Sequence, residues 1–265
     1  HWGHAARDMA ASALPLEDGE QVLVVGEAGI DGGVASGARA EHLDDENADA
    51  DPEQAVLHHH AFEGDVAGIQ TTADVPAVLE DGLPQFVPGR VGMAVAFDGK
   101  RFVNAGPSPD VGYDDVFSFA VWIYPTAPDG VILSRAGRGD QGEVGWGLYL
   151  EDGKIRFNMS TRVLDDGVAA ETLADVALNQ WQHVVATYDG SKTPDGVHVY
   201  VDGQRQAMTP LNNLVGNRLN VRRFPLRIGA SGSDKPRFEG RLDDVRIYSR
   251  VLTPTELRNP HQVAR

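Results

Sequence analysis

The stretch Trp181–Gln204, WQHVVATYDGSKTPDGVHVYVDGQ, constrains the fold of this chain more than any other. Val184, Ala186 and Tyr188 alternate with His183, Val185 and Thr187, the two-residue period of a pleated strand. Val197, Val199 and Val201 alternate with His198 and Tyr200 in the same way. Asp189-Gly190 ends the first run and Asp202-Gly203 ends the second. An Asp-Gly pair between alternating residues is a hairpin signal, because both central positions of a type I′ turn need a positive φ. Two neighbouring antiparallel strands and a returning edge are therefore expected here.

The same grammar recurs along the chain. In FSFAVWIYP, residues 117–125, both alternating faces are largely apolar, which predicts a strand covered on both sides. Pro125 ends it. In GWGLYLEDGKIRF, residues 145–157, Trp146, Leu148 and Leu150 face one way and Gly145, Gly147 and Tyr149 the other, with the turn at Asp152-Gly153. The small residues beside Tyr149 leave room for its ring to lie flat. Met93, Val95 and Phe97 alternate into the core before a turn at Asp98-Gly99. Residues 161–178 read as a long loop. Leu242 and Val245 are both core candidates, yet three apart, so the last strand either is buried on both faces or carries a bulge at Asp243-Asp244. Thr253-Pro254-Thr255-Glu256 reads as a capping box with proline at the first helical position.

In order and in residues, W-x-H-V-V-A-T-Y-D-G followed by V-x-V-Y-V-D-G-Q resembles the central hairpins of laminin-G-like, concanavalin A-like (pentraxin-type) jelly-roll domains. PLRIGAS at 225–231 and FEGRLDDVRIYSRVLTPTEL at 238–257 are similar to the family's closing strands and final helical turn. The resemblance covers residues 57–257. It implies an all-β, two-sheet antiparallel jelly-roll sandwich with short terminal helices. The expected organisation is an N-terminal extension at 1–54, the jelly roll at 55–252, and a helical turn and tail at 253–265. Within the extension, residues 1–14 have helical spacing, Val22–Val25 read as a strand, and 41–53 carry seven acidic residues in thirteen, read as a solvated linker. The chain begins at His1, so a processed piece of a longer polypeptide is expected.

Composition narrows the function classes. The 265 residues carry a formal charge of −16, which argues against nucleic acid and anionic membrane surfaces as partners. No cysteine is present, which excludes disulfides, thiolate metal sites and cysteine nucleophiles. No run reaches the ~20 apolar residues of a spanning helix. The E-x-D-x-x-E strand of laminarinase-type hydrolases is absent, as is the R-x-E-x-R strand of alginate-lyase-like jelly rolls. No catalytic residue is therefore expected, and a polysaccharide-active enzyme ranks third.

The first reading is a noncatalytic recognition module of a secreted or cell-envelope protein, with a glycan as ligand. The second is a structural or protein-interaction domain with an extracellular protein as partner. Trp122, Tyr124, Trp146 and Tyr149 are the rings available for stacking on sugar, against the alternative that each fills the core. Trp181 is expected in the core and His183 in packing. The resemblance also implies a calcium ion at the sandwich rim, held by carboxylates and carbonyls. The matching residues are Glu63, Asp65, Asp243 and Asp244, with Glu63 where the family more often has Asp. The competing reading has Asp65 capping a turn and Asp243 or Asp244 paired with Arg241 or Arg246. His58 and His60 share a strand face, a chelating spacing, against the plainer reading of polar residues at a strand edge.

Overall fold

The computed structural model describes residues 55–70, 78–107, 110–140, 142–162, 166–215, 219 and 221–258. The expectations for residues 1–54 lie outside them. Seventeen strands follow in chain order: β1 (Val56–His60), β2 (Ile69–Gln70), β3 (Val78–Glu80), β4 (Phe86–Pro88), β5 (Met93–Asp98), β6 (Phe102–Asn104), β7 (Phe117–Pro125), β8 (Gly130–Gly139) and β9 (Gly142–Glu151). Then come β10 (Lys154–Arg162), β11 (Asp166–Asp175), β12 (Gln182–Tyr188), β13 (Val197–Val201), β14 (Gln204–Arg205), β15 (Met208–Leu214), β16 (Arg227–Ile228) and β17 (Glu239–Tyr248), closed by helix α1 (Pro254–Arg258).

They form two antiparallel sheets. One runs β14-β13-β12-β7-β17-β1-β2, with β5 also on β17 and β4 on β5. The other runs β15-β11-β10-β9-β8-β16-β6-β3. β12 and β13 are neighbouring antiparallel strands, as expected, with Val184 opposite Val201 and Tyr188 opposite Val197. Asp202 and Gly203 have φ of 50° and 76°, and Asp152 and Gly153 have 51° and 79°, the double positive φ that the hairpin turns require. Asp189-Gly190 behaves differently: β13 starts only at Val197, so this pair opens a longer connection.

Between the sheets lies one apolar core. Its centre is aromatic. Phe119 stacks on Trp146 with centroids 5.1 Å apart, Phe117 meets Phe157 at 6.1 Å, and Phe157 stacks on Tyr188 at 5.9 Å. These contacts cross from β7 and β12 to β9 and β10, so they fasten one sheet to the other. The Tyr188 hydroxyl donates to the Tyr113 carbonyl and accepts from the Lys192 N–H, both at 2.8 Å, which satisfies the polar end of a buried ring.

The loop expected at 161–178 is corrected: residues 166–175 are β11. Val168, Ala170 and Thr172 are buried, while Glu171 on the alternate face pairs with Arg156 at 2.7 Å. Acidic residues marked that stretch as a loop, but Glu171 sits on the alternate face, Asp175 at the exposed end of the strand, and Asp166 is buried at its start.

The capping box forms as expected. The Thr253 N–H donates to Glu256 Oε2 at 2.8 Å, and Glu256 is gripped by Arg250 at 2.7 Å. This holds α1 so that Leu257 packs with Leu252, Tyr248, Ala120 and Val185 on the outer face of the first sheet.

Trp146→Ala should cost about 3–5 kcal/mol, measured by urea unfolding, because it removes the ring on which Phe117 and Phe119 both rest. A loss below about 1 kcal/mol would contradict the cross-sheet stack as the centre of the core.

Candidate functional site

The last strand changes neighbours halfway. Glu239–Leu242 pair with β5, whereas Val245–Tyr248 pair with β1. Against β7 the register slips between Asp243 and Arg246, which oppose Trp122 and Ala120. One extra residue is accommodated there, and Asp244 takes a φ of 50°. The bulge is the one the spacing of Leu242 and Val245 anticipates. It also turns Asp243 toward the loop between β4 and β5.

Asp243 is fully buried. Its Oδ2 accepts the N–H groups of Arg90 at 2.7 Å and Val91 at 2.8 Å. Its Oδ1 is buried with no hydrogen-bond partner among the described residues. Burial pushes the carboxyl up to about 6, against the pull of the two N–H groups and helped by the Asp244 and Glu63 charges. Glu63 grips the same loop from its other side, accepting the Met93 N–H at 3.3 Å. Gly92 is needed there: its φ is 60° and a Cβ would run into the Glu63 carboxylate.

The other two carboxylates lie elsewhere. Asp65 accepts the Ala67 N–H at 3.0 Å and so caps its own turn. Asp244 meets His59 Nε2 at 2.6 Å and Arg246 at 2.9 Å. Burial raises its pKa, but the His59 hydrogen bond and the Arg246 charge outweigh that and hold it below the usual carboxylate range. The four-carboxylate set is thus corrected to two. Among the described residues no group of three or more His, Asp or Glu side chains is arranged to hold a metal. The orphaned Oδ1 of Asp243, with Glu63 nearby, suits a hard cation completed by backbone carbonyls and water.

The four candidate rings separate by burial. Trp146 is at 0% exposure in the core, so its role as a stacking surface is corrected. Tyr149 lies on the outside of the second sheet and is 1% exposed. Its ring does lie flat over Gly147, where a Cβ would meet Cζ at 2.6 Å, but the Lys235 ammonium covers it at 4.8 Å. It too offers no open face. Trp122 and Tyr124 share the outer face of β7. Trp122 is sandwiched by His183 at 5.0 Å and the Arg90 guanidinium at 5.1 Å.

Tyr124 is half-buried, with Trp181 edge-on at 5.6 Å and Arg241 over its ring at 4.8 Å. Trp181, expected in the core, is likewise half-buried on this outer face. Its position just before β12 places it beyond the last residue that the core side of the strand can claim. Neither arginine was expected over a ring: Arg241 was considered only as an ion-pair partner of Asp243 or Asp244, and Arg90 was not singled out. Arg241 was legible, since it lies two residues from Asp243 and shares its face; Arg90 comes from a loop and carries no such signal. Rings, arginines and the spare carboxylate oxygen thus gather at one end of the first sheet, while α1 covers the other end.

His58 and His60 are buried and stacked, with centroids 4.8 Å apart. The His60 Nε2 lies 2.9 Å from His58 Nδ1, and His60 Nδ1 lies 3.1 Å from the Val66 carbonyl. Facing nitrogens bond each other, so the chelating reading is corrected. The strand-edge reading is corrected too, since β1 is paired on both sides by β17 and β2.

Comparison with known proteins fits this architecture. A laminin G family model, described as the Concanavalin A-like lectin/glucanases superfamily, matches residues 97–258. The chain is 27% identical over 152 residues to Adhesion G-protein coupled receptor V1 of Danio rerio, covering 55% of this chain and 2% of the receptor's length. Among solved structures, domain 4 of an extracellular GH43 arabinanase from Geobacillus stearothermophilus, in complex with arabinotriose, superposes with a TM-score of 0.51. It is 16% identical and covers 80% of this chain and 98% of that one. The binding domain of Botulinum neurotoxin DC, in complex with rat synaptotagmin II, gives a TM-score of 0.56 at 12% identity, covering 80% of this chain and 52% of that one. At these identities the structural likeness is one of fold.

Burial holds His58 at about 3 and His60 at about 4, against 6.5 in the open chain. A histidine depressed on folding contributes stability that is present above 6.5 and lost as pH falls through the folded value. Asp243 runs oppositely: its share is present below 3.8 and lost as pH rises through about 6. With chelator present, the urea midpoint should rise from about pH 4.5 to about pH 7, because two imidazoles outweigh one carboxylate. Asp243→Asn should steepen that rise. A midpoint that does not move with pH in either protein would rule out a neutral, buried histidine pair.

Proposed function

This chain belongs to the Concanavalin A-like lectin/glucanases superfamily, and from that premise we propose that it is a noncatalytic recognition module, outside the cell or at its envelope, with a glycan as ligand. The observation that carries the reading is the half-exposed Tyr124–Trp181 pair, flanked by Arg241 and lying beside Asp243. A sugar ring offers apolar C–H faces and polar edges. Stacking on the open parts of the two rings suits the faces, and guanidinium donors suit the hydroxyls. The noncatalytic assignment follows from the sequence, which lacks the paired-carboxylate strand of the hydrolases and the Arg-Glu-Arg strand of the lyases.

Calcium belongs to this proposal in a reduced form. Asp243 Oδ1 and Glu63 would hold the ion, and its charge would relieve the cost of keeping Asp243 ionised while buried. An extracellular setting is supported by the likeness to a segment of an adhesion receptor and to a domain of an extracellular arabinanase. The sugar-bound arabinanase domain favours a glycan over a protein as the first ligand to test.

On a polysaccharide panel, a retained glycan should bind about tenfold more weakly to Tyr124→Ala or Trp181→Ala than to the parent protein. Tyr149→Phe should leave retention unchanged, since that ring is covered. Absence of retention on every polysaccharide, together with capture of a defined protein partner, would replace the glycan by a protein ligand. Release of reducing ends that a single carboxylate substitution abolishes would overturn the noncatalytic reading.

Calcium at about 100 times its dissociation constant should stabilise the fold by about 2.7 kcal/mol. Asp243→Asn and Glu63→Gln should each remove that response, and Asp65→Asn should not. A melting temperature indifferent to calcium and chelator would remove the ion from the proposal.

A further inference from the structure

A separate cleft opens at the seam where the chain crosses from one sheet to the other. β14 is the outermost strand of the first sheet and β15 the outermost of the second. The crossover between them is pinned to both: the Gln206 N–H donates to the Val199 carbonyl at 2.8 Å, and the Leu173 N–H to the Ala207 carbonyl at 2.9 Å. Beside it stand β13, β15 and the turn at Pro194–Gly196. They leave a cleft of about 430 Å³, within the range of small-ligand sites.

Its walls have two characters. Met208 and Pro210 supply apolar surface, and Asp195, His198 and Arg205 supply polar groups. The Arg205 Nη2 lies 2.9 Å from His198 Nδ1. Burial, and then the Arg205 charge, lower the His198 pKa, so the imidazole is a neutral acceptor that orients the guanidinium without cancelling its charge. Arg205 makes no ion pair among the described residues. Its charge therefore stands at the mouth of the cleft without a carboxylate bound to it among the described residues. One of its five N–H donors is used by His198, and the rest keep the planar fork that matches a carboxylate.

We propose that this cleft binds an acidic sugar, a hexuronic acid unit at the end of or within a glycan chain. The uronate carboxylate meets Arg205, the sugar hydroxyls donate to Asp195, and the C–H face lies on Met208 and Pro210. A bare anion uses only the first of these contacts, and a neutral sugar only the other two. The site is independent of the Tyr124–Trp181 face, which sits across β12 and β13 from it, so either can fail without the other.

The test is a calorimetric or NMR titration of the full chain with oligogalacturonate, the matching neutral galactose oligomer, and acetate. Oligogalacturonate should saturate in the millimolar range or tighter, with the neutral oligomer and acetate at least about tenfold weaker. Arg205→Ala should weaken the uronate about tenfold or more, and Arg205→Lys should restore only part, since an ammonium lacks the fork. Asp195→Asn should weaken the uronate and leave acetate alone. Tyr124→Ala should change nothing here. Arg205 is exposed, so its variants should melt like the parent. Equal binding of the neutral oligomer, equal binding of acetate, no uronate saturation, or full affinity in Arg205→Ala would each overturn the assignment.

Discussion

One supernumerary residue in β17 governs how this sandwich meets its surroundings. β17 is the strand on which the first sheet turns: β7 lies along one side, and β5 and β1 share the other. Two strands cannot occupy one side without a gap between them. The bulge at Asp243-Asp244 fills that gap by letting backbone leave the ladder. The peptide groups freed by the 89–93 loop then need acceptors, and the Asp243 and Glu63 carboxylates provide them. The rim site is thus a by-product of solving a pairing problem, and its electrostatic strain is a consequence of where the solution had to sit.

The remainder of the surface divides according to what covers it. On the first sheet, α1 and its Thr253–Glu256–Arg250 clamp hide Tyr248 and Val185; at the other end Trp122 is buried under His183 and Arg90, and Tyr124 and Trp181 stay half-exposed. On the second sheet, Tyr149 is lowered onto Gly147 and closed over by Lys235, and Arg156 is held between Glu151 and Glu171. That sheet therefore presents satisfied ion pairs, and the Tyr124 end of the first presents arginines stacked on rings. The difference favours the first sheet as the side that meets a ligand.

Much of this was legible in the sequence, for identifiable reasons. Period-two alternation and Asp-Gly pairs report backbone geometry, which is local, so the β12–β13 and β9–β10 hairpins, the capping box and the bulge could all be read. Burial of a ring is not local. Trp146 and Tyr124 stand on strands with the same pattern, and only the opposing sheet decides that one meets Phe119 and the other meets solvent. The metal set failed for a related reason: Asp65 and Asp244 have partners at hand, Ala67 and Arg246, that no spacing rule weighs against convergence. The fate of 166–175 shows the converse, a strand disguised by its acidic residues.

The pairing of β1 with β17 carries a cost in time. His59 and Asp244 are 185 positions apart. A ribosome adding about 5–20 residues per second therefore exposes the first strand for about ten to forty seconds before its partner exists. Through that interval the hairpins of the second sheet can close on their own, while β1 waits as an unsatisfied ribbon carrying three imidazoles. Docking makes that ribbon the last seam to seal, so biogenesis of this domain is paced by β1 and β17 finding each other.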